Sequence, residues 1–436
     1  MKKWVLMAVG FLLAAAAHAQ FTVDGQYIQR SEFRNGYNRL IGANEDPAVF
    51  LGHRARLQAG YEADKVRFYM SVQDIRTFGS APQVKATDPY LSVHEAFAEF
   101  TFNEQWRLKM GRQELNYDNA RFLGNLDWPL QARAHDFVLM KYEKGKRKLH
   151  FGGAWNQDAQ LFAGNAFTTP NQYKTAQMVH YENSFERFQY SLLYWNDGRQ
   201  QLTFDSLGNL ASQRIRFRQT LGIPTLKYNW GNTWLSGFAY YQFGEDATGK
   251  QLSGYDLSAQ LNHTMLLGGE KGRKLMAIAG FEWLSGTDTL NNANRSAGFS
   301  PLYGTNHLFN GYMDHFYVNG MHENNTGLRD LFLKARFTFN PNFFVQADYH
   351  WFYTDAQAFA VNGEKLDAFL GAEIDFSLGY VVNKAVSIQA GYSQLFATAT
   401  MHAVRARSNV ADTQNWAYLM LVYRPTNKNK FIGILQ

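Results

Sequence analysis

The chain has 436 residues, with 43 Lys and Arg against 37 Asp and Glu, for a formal net charge of +6. It contains no cysteine, which excludes disulfides, thiolate metal sites and cysteine nucleophiles. Its 35 Phe, 24 Tyr and 10 Trp against 9 Pro carry more large apolar surface than small soluble domains could bury among polar loops.

Lys2 and Lys3 precede an apolar stretch over 4–17, and Ala17-His18-Ala19 has the small-x-small pattern read by signal peptidase. Residues 1–19 are therefore expected to be a signal peptide, with the mature chain starting near Gln20. Removing Lys2 and Lys3 leaves 41 basic and 37 acidic residues, a balance of +4. An exported chain meets no nucleic acid, so this mild excess points to an anionic solute or lipopolysaccharide. The longest apolar run after the signal, roughly 417–423, is far shorter than the ~20 residues a transmembrane helix needs. A closed barrel is then the remaining way to span a bilayer.

Period-two alternation predicts strands at 21–34, 49–61, 66–78, 92–102, 106–115, 133–143, 147–157, 174–183 and 187–197. It continues at 214–229, 232–244, 251–266, 273–285, 327–339, 343–355, 367–380, 386–396 and 414–424. Tight turns at 62–65, 103–105, 144–146, 184–186 and 340–342 alternate with long links at 35–48, 79–91, 116–132, 158–173 and 286–326. In outer-membrane barrels tight turns face the periplasm and long loops the exterior. The expected fold is all-β: one transmembrane antiparallel up-and-down β-barrel of about 18 strands over 20–436. It would carry a long extracellular loop at 286–326 and a periplasmic C-terminal tail at 425–436. A secreted lectin or propeller would show shorter strands or blade repeats, and neither is visible. No periplasmic connection is long enough to form a plug, 381–385 being a turn, so any gate is expected in 286–326. That loop has Phe299, Tyr303, Phe309 and Tyr312 to pack it inward.

On 367–380, Leu370, Ala372, Ile374, Phe376, Leu378 and Tyr380 alternate with Gly371, Glu373, Asp375, Ser377 and Gly379. One face is oily and the other acidic and small, as lipid on one side and a wet lumen on the other require. The same parity puts Asp24, Gln26, Arg30, Glu32 and Arg34 on the inner wall, beside Arg54, Arg56 and Gln58, and then Arg67, Tyr69, Ser71 and Gln73. Neighbouring strands lie ~4.8 Å apart, so these arginines form a lateral patch, with Arg76, Arg112 and Arg121 expected above it. Arg133, Asp136, Lys334, Arg336, Glu373 and Asp375 complete the residues expected to line the lumen and meet solute. The charges read either as neutralising ladders that stiffen a wet wall or as a selectivity patch for a permeating anion. Arginine favours bidentate contact with a carboxylate, and phosphate satisfies the same geometry.

Adjacent residues on a strand point to opposite faces, so His135-Asp136 and Asp314-His315 are not expected to be catalytic pairs. His307, His315 and His322 lack metal-ligand spacing, and no phosphate loop or serine elbow occurs. No enzyme activity, cofactor or metal is expected.

Gly111-Arg112-Gln113, Leu115, Tyr117, Asp118, Arg121, Leu123, Gly124, Trp128, Arg133 and Asp136 together resemble the central signature of the alginate-export outer-membrane family. Pro301-Leu302-Tyr303, His307, Phe309, Gly311, Asp314 and Phe316 look like that family's long-loop segment, followed by Leu370-Gly371 with Glu373 and Asp375. With Arg54, Arg56, Gln73, Asp74 and Arg76, the resemblance covers most of the mature chain. It implies an eighteen-stranded monomeric barrel in the outer membrane of a Gram-negative bacterium. Its arginine-rich lumen would pass an anionic polysaccharide or acidic sugar passively. The implied partners are outer-membrane lipid, lipopolysaccharide, an anionic saccharide or other anionic solute, and periplasmic export proteins. The alternatives are a general or other-anion-selective porin and a non-transport barrel such as an adhesin or hydrolase.

Overall fold

A computed structural model describes residues 19–85, 87–208, 210–246, 248–268, 272–288, 294–316, 326–427 and 429–434. The signal peptide expected at 1–19 lies, but for Ala19, outside the described residues, and so does His322. Eighteen barrel strands stand where the alternation placed them. In chain order they are β1 (Ala19–Asn35), β2 (Ala48–Ala63), β3 (Val66–Thr77), β4 (Leu91–Thr101), β5 (Trp106–Gln113) and β6 (His135–Lys144). Next come β7 (Arg147–Trp155), β8 (Thr175–Ser184), β9 (Phe188–Phe204), β10 (Leu210–Trp230), β11 (Thr233–Glu245) and β12 (Gln251–Gly268). The last six are β13 (Arg273–Leu284), β14 (Leu328–Asn340), β15 (Phe343–Tyr353), β16 (Phe369–Val381), β17 (Val386–Ala397) and β18 (Gln414–Tyr423).

Each strand pairs antiparallel with its sequence neighbours, and β1 pairs with β18 from Tyr27↔Tyr423 to Asn35↔Asn415, which closes the cylinder. Closure removes every sheet edge, the condition for placing strands in lipid. The two-residue strand Arg295–Ser296 adds to β12 in parallel at the long-loop end.

Loop lengths segregate by end. Tight turns close β2 to β3 through Asp64 and β6 to β7 through Gly145, both with positive φ (50° and 60°), the backbone that two-residue hairpins require. The β9–β10 hairpin departs from expectation: it reaches Phe204 and Leu210, beyond the predicted limits of 197 and 214. At 17 and 21 residues these strands exceed the ~10 needed to cross the hydrocarbon, so their tip stands clear of the long-loop rim. Pro224 sits inside the register break between Gly222 and Thr225, where its missing N–H interrupts no ladder bond.

The outer wall is apolar: Leu57, Val138, Val179, Leu192, Leu257, Leu331, Leu333, Phe376 and Leu419 are all exposed. Near the tight turns it becomes aromatic. Trp106 packs on Tyr142 and Phe151, Tyr190 on Tyr181, Phe185 and Phe188, and Phe339 on Phe337 and Phe343. Such rings suit a membrane interface, where an apolar body meets a hydrated edge.

The interior is not simply wet. Phe122, Phe137, Tyr173, Trp195, Tyr240, Phe299 and Tyr303 are buried together inside the cylinder. Phe137 stacks on Trp195 at 6.0 Å, and Phe122 stacks on Tyr240 at 5.8 Å. This core joins the strand wall to loops that fold into the barrel.

Leu333 is 51 % exposed on the outer wall near the middle of β14. Leu333→Arg is expected to cost about 2–4 kcal/mol, the penalty for a cation near the bilayer midplane. Urea titration of the barrel folded into vesicles measures it; a change under about 0.5 kcal/mol would place Leu333 away from acyl chains.

Candidate functional site: a loop-filled lumen between two charged walls

Arg30 and Glu32 on β1 and Arg54 and Arg56 on β2 point inward, as their parity requires, and all are buried. They do not face open water. Arg30 Nε donates to Glu32 at 2.8 Å, and Arg34 Nε donates to the other oxygen of Glu32 at 2.9 Å. Arg56 donates twice to Gln73 Oε1, at 2.9 and 2.7 Å. Arg54 Nη2 donates to Asp127 Oδ1 at 2.7 Å and to Gln26 at 2.6 Å, while Nη1 donates to the Leu130 carbonyl at 3.0 Å. The neutralising reading thus describes this patch.

Asp127 belongs to the loop between β5 and β6, residues 114–134. Burial alone would raise its pKa, but the guanidinium groups of Arg54, Arg424 and Arg56 hold its carboxyl well below the usual range. Arg424, just past β18, donates to its other oxygen.

Six residues earlier the same loop carries the opposite charge to another wall. Arg121 is fully buried, with Nε 2.5 Å from Glu282 Oε1 on β13 and 3.4 Å from Asp256 Oδ2 on β12. Its two Nη atoms donate to Asn306 (3.1 Å) and Asn310 (3.0 Å). The wall it meets is acidic. Glu282 pairs in register with Asp330 on β14, and Asp348 on β15 with Asp375 on β16, next to Glu373. His350 lies 2.9 Å from Asp330, and Lys334 lies 3.4 Å from Asp348. Arg336 donates twice to Gln346, at 2.9 and 2.7 Å, and stacks over Phe344.

A second inserted segment, 297–316, locks onto the first. Leu126 N donates to Thr305 Oγ1 (3.1 Å), Thr305 N to the Ala120 carbonyl (2.8 Å), and Arg133 Nη1 to the Gly304 carbonyl (2.9 Å). Asn310 Nδ2 reaches Glu282 (2.7 Å) and Asp330 (3.2 Å), and Met313 N donates to Glu373 (2.8 Å). Tyr303 OH donates to Asp197 at 2.5 Å. Phe299, Tyr303 and Tyr312 are packed inward as expected. Trp128 stacks on His307 at 3.9 Å with planes 6° apart, and Arg30 lies 4.2 Å over the indole.

Three expected lumen residues lie elsewhere. Arg112 and Asp136 are register partners on the outer face, 3.1 Å apart and 39 % and 61 % exposed, because inward Gln113 and His135 fix the opposite parity for their neighbours. Arg76 likewise sits outside, bonded to Asp74 and 3.1 Å from Asp88, since Gln73 next to Asp74 faces in. These are surface pairs at the long-loop rim. Arg67 faces the lumen and is exposed. Arg121 and Arg133 are inside, but as parts of the loop rather than the wall. His135 is buried on Tyr173 while Asp136 faces out, so that dyad is split as expected.

Sequence reading missed a second group of inward cations. On the β9–β10 hairpin, Arg218 pairs in register with Asp197 and Arg216 with Arg199, and Arg214 follows on the same face. Arg218 and Arg199 each lie 3.3 Å from Asp197; Arg216 is 2.7 Å from Glu245, and Arg214 is 64 % exposed. The alternation in Arg214-Ile215-Arg216-Phe217-Arg218 was the available signal. Lower on the wall stand Arg67, Arg107, Lys109, Lys141 and Lys148, interleaved with Glu99, Glu143 and Glu182.

Among the described residues, His94, Glu95 and Glu114 bring three ligand-type atoms within 4.8 Å of one another. A bulge at Ser71/Val72 places His94 and Glu95 together on the inner side. One imidazole and two carboxylates suit a divalent cation, but here they satisfy one another. His94 Nε2 is 2.8 Å from Glu114 Oε1, and the Glu114 N–H donates to Glu95 at 3.0 Å.

Because its pKa is depressed, Asp127 contributes stability that is full above its unfolded value near ~3.9 and is lost as pH falls. Limited proteolysis of loop 114–134 is therefore expected to accelerate below about pH 4, and Asp127→Asn to be cleaved faster at pH 7. Proteolysis rates equal to the native protein's would show that the loop is held without this pair.

The sequence from 20 to 413 matches the family described as Alginate export. No curated protein matches the chain. Similar solved structures are outer-membrane proteins of Pseudomonas aeruginosa. OccK9 (OpdG) is 16% identical with a TM-score of 0.56, covering 92% of this chain and 97% of its own. OpdK, solved with vanillate, is 13% identical with a TM-score of 0.54, covering 92% and 98%. OccK5 (OpdH) is 13% identical with a TM-score of 0.55, covering 92% and 97%. At these identities the likeness concerns the porin fold. A closed eighteen-stranded cylinder with an apolar outer wall, matched by family over residues 20–413, is an outer-membrane protein of a Gram-negative bacterium and belongs to the Alginate export family.

Proposed function

We propose that this barrel is a passive channel for anionic saccharides, entered or left through the mouth formed by the β9–β10 hairpin. The observation that carries this reading is the set of inward cations: exposed Arg214 above, beside Arg199, Arg216 and Arg218 in ion pairs, and exposed Arg67 below, with part-exposed Arg107, Lys109, Lys141 and Lys148. Guanidinium groups meet a uronate carboxylate bidentately. Carboxylates between them keep any one contact weak enough to release, which conduction requires. The basic patch on β1 and β2 has a different part, seating loop 114–134.

In this reading the long loops lie outside the cell, the tight turns lie in the periplasm, residues 1–19 direct export, and the working unit is a monomer. Periplasmic partners set the direction of flow, since a passive pore follows its gradient. The interleaved Glu99, Glu143 and Glu182 favour a second reading, a general porin with modest anion preference.

Single-channel recording in planar bilayers separates the two. Oligouronates are expected to block the current at concentrations where neutral oligosaccharides of equal length do not. Arg214→Ala with Arg216→Ala is expected to weaken that block roughly tenfold, about 0.7 kcal/mol for each lost guanidinium contact. Equal block by neutral and acidic sugars would establish the general porin instead.

A further inference from the structure

The segment after β18 was expected at the periplasmic rim, and no plug was expected from that side. Residues 429–434 instead run up the inside of the barrel. The turn begins with Arg424 N donating to the Ala385 carbonyl at 2.8 Å and Thr426 Oγ1 donating to Asp24. Ser387 Oγ then donates to the Lys430 carbonyl at 2.6 Å. The Gln389 side-chain amide takes both backbone groups of Ile432: Nε2 donates to its carbonyl at 2.7 Å, and its N–H donates to Oε1 at 3.0 Å. Phe431 packs edge-on against Phe344 at 5.0 Å, and Ile432 and Ile434 are buried.

At Gly433 the segment meets the loop descending from the other end. Gly433 has φ +68°, and a Cβ there would collide with the Trp128 indole and approach the His307 ring. Insertions from both ends of the lumen therefore meet at one stacked pair of rings.

We infer that residues 429–434 are an internal stopper of the pore, which narrows the lumen beneath loop 114–134 and opens by withdrawing toward the tight-turn end. The contacts favour removal of the segment as a unit. It forms no β-ladder, so its departure breaks none of the hydrogen bonds that close the barrel. Two wall side chains that anchor it, Ser387 and Gln389, remain hydrated if the lumen fills with water. Its apolar residues cover Phe344 and Trp128, whose other neighbours stay in place. The inference goes beyond the choice of solute, and a salt current tests it without any saccharide.

The chain has no cysteine, so Ser387→Cys with Lys430→Cys creates a pair that oxidation or a short bis-maleimide joins uniquely. Three full barrels, each verified by heat-modifiable migration on gels, are compared for single-channel conductance in potassium chloride. These are the native chain, the cross-linked pair, and Ser387→Ala with Gln389→Ala. The cross-linked pore is expected to stay at the low native level, and the double-alanine pore to spend more time at a level roughly twofold or more higher. A chain ending at Pro425 is expected to hold that higher level continuously. Identical conductance in the cross-linked and double-alanine barrels would overturn the inference whether or not the truncated chain assembles. Failure of oligouronates to block would leave this result untouched.

Discussion

One loop carries opposite charges to two walls of the same cylinder. Arg121 meets Glu282 and Asp256, and six residues later Asp127 meets Arg54 and Arg424. Without the loop, Arg54 would lose the Asp127 carboxylate while Glu32 stays engaged by Arg30 and Arg34, and the β12–β16 arc would hold six acids with too few cations. Water in an open lumen could solvate both arcs. The loop lets both walls be buried, because removing one partner from such a pair strands a charge at a cost of about 3–5 kcal/mol. The arrangement also sets register: moving the loop by a residue would lose both ion pairs at once. The aromatic core of Phe122, Tyr240, Tyr303 and Trp195 then forms around a backbone whose position electrostatics has already chosen.

The cylinder was legible in the sequence because lipid enforces a single rule on every strand. Each outward side chain must be apolar, so a period of two survives even where the inward residue varies from Glu373 to Ile28. Strand limits came out within a few residues except on β9 and β10, which continue into solvent, where the lipid rule stops but pairing does not. The inserted loops were not legible. Segment 114–134 reads as polar turn chemistry, and nothing in its composition distinguishes a loop that lies over the rim from one that enters the lumen. Its partners, Glu282 and Arg54, are 161 and 73 residues from Arg121 and Asp127 respectively, beyond any local pattern. Arg76, Arg112 and Asp136 were grouped with the inner charges although the residues beside them, Gln73-Asp74, Gln113 and His135, fix the opposite parity. The Arg214–Arg218 alternation was in plain view at the start of the strand expected over 214–229, yet it was not grouped with the lumen charges.

The inner and outer faces obey different economies of contact. Outside, each side chain meets lipid alone, and its neighbours hardly matter. Inside, charged groups persist only by being paired, hydrated or stacked, and the structure uses all three. Arg30 is paired with Glu32 and stacked on Trp128; Arg214 stays mostly in water with Glu245 3.7 Å away; Arg336 lies over Phe344. Permeation depends on the hydrated class alone, so the number of arginines in the lumen is a poor guide to its selectivity. Position relative to the inserted loops is the better one.

Trp128 is where these arguments converge. Its ring holds Arg30 on one side and His307 in a parallel stack, meets Trp416 and Tyr418 edge-on, and blocks a side chain at Gly433. It therefore touches the basic wall, both inserted loops, the closing strand and the segment climbing from below. Side chains packed in this way shift between discrete arrangements rather than deforming smoothly, because close-packed interiors have few intermediate states. Withdrawal of residues 429–434 would uncover one edge of the indole to water while leaving the ion pairs of Asp127 and Arg121 in place. The loop then keeps its register as the lumen below it empties, so a pore built this way can widen from one end without losing the charged frame at the other.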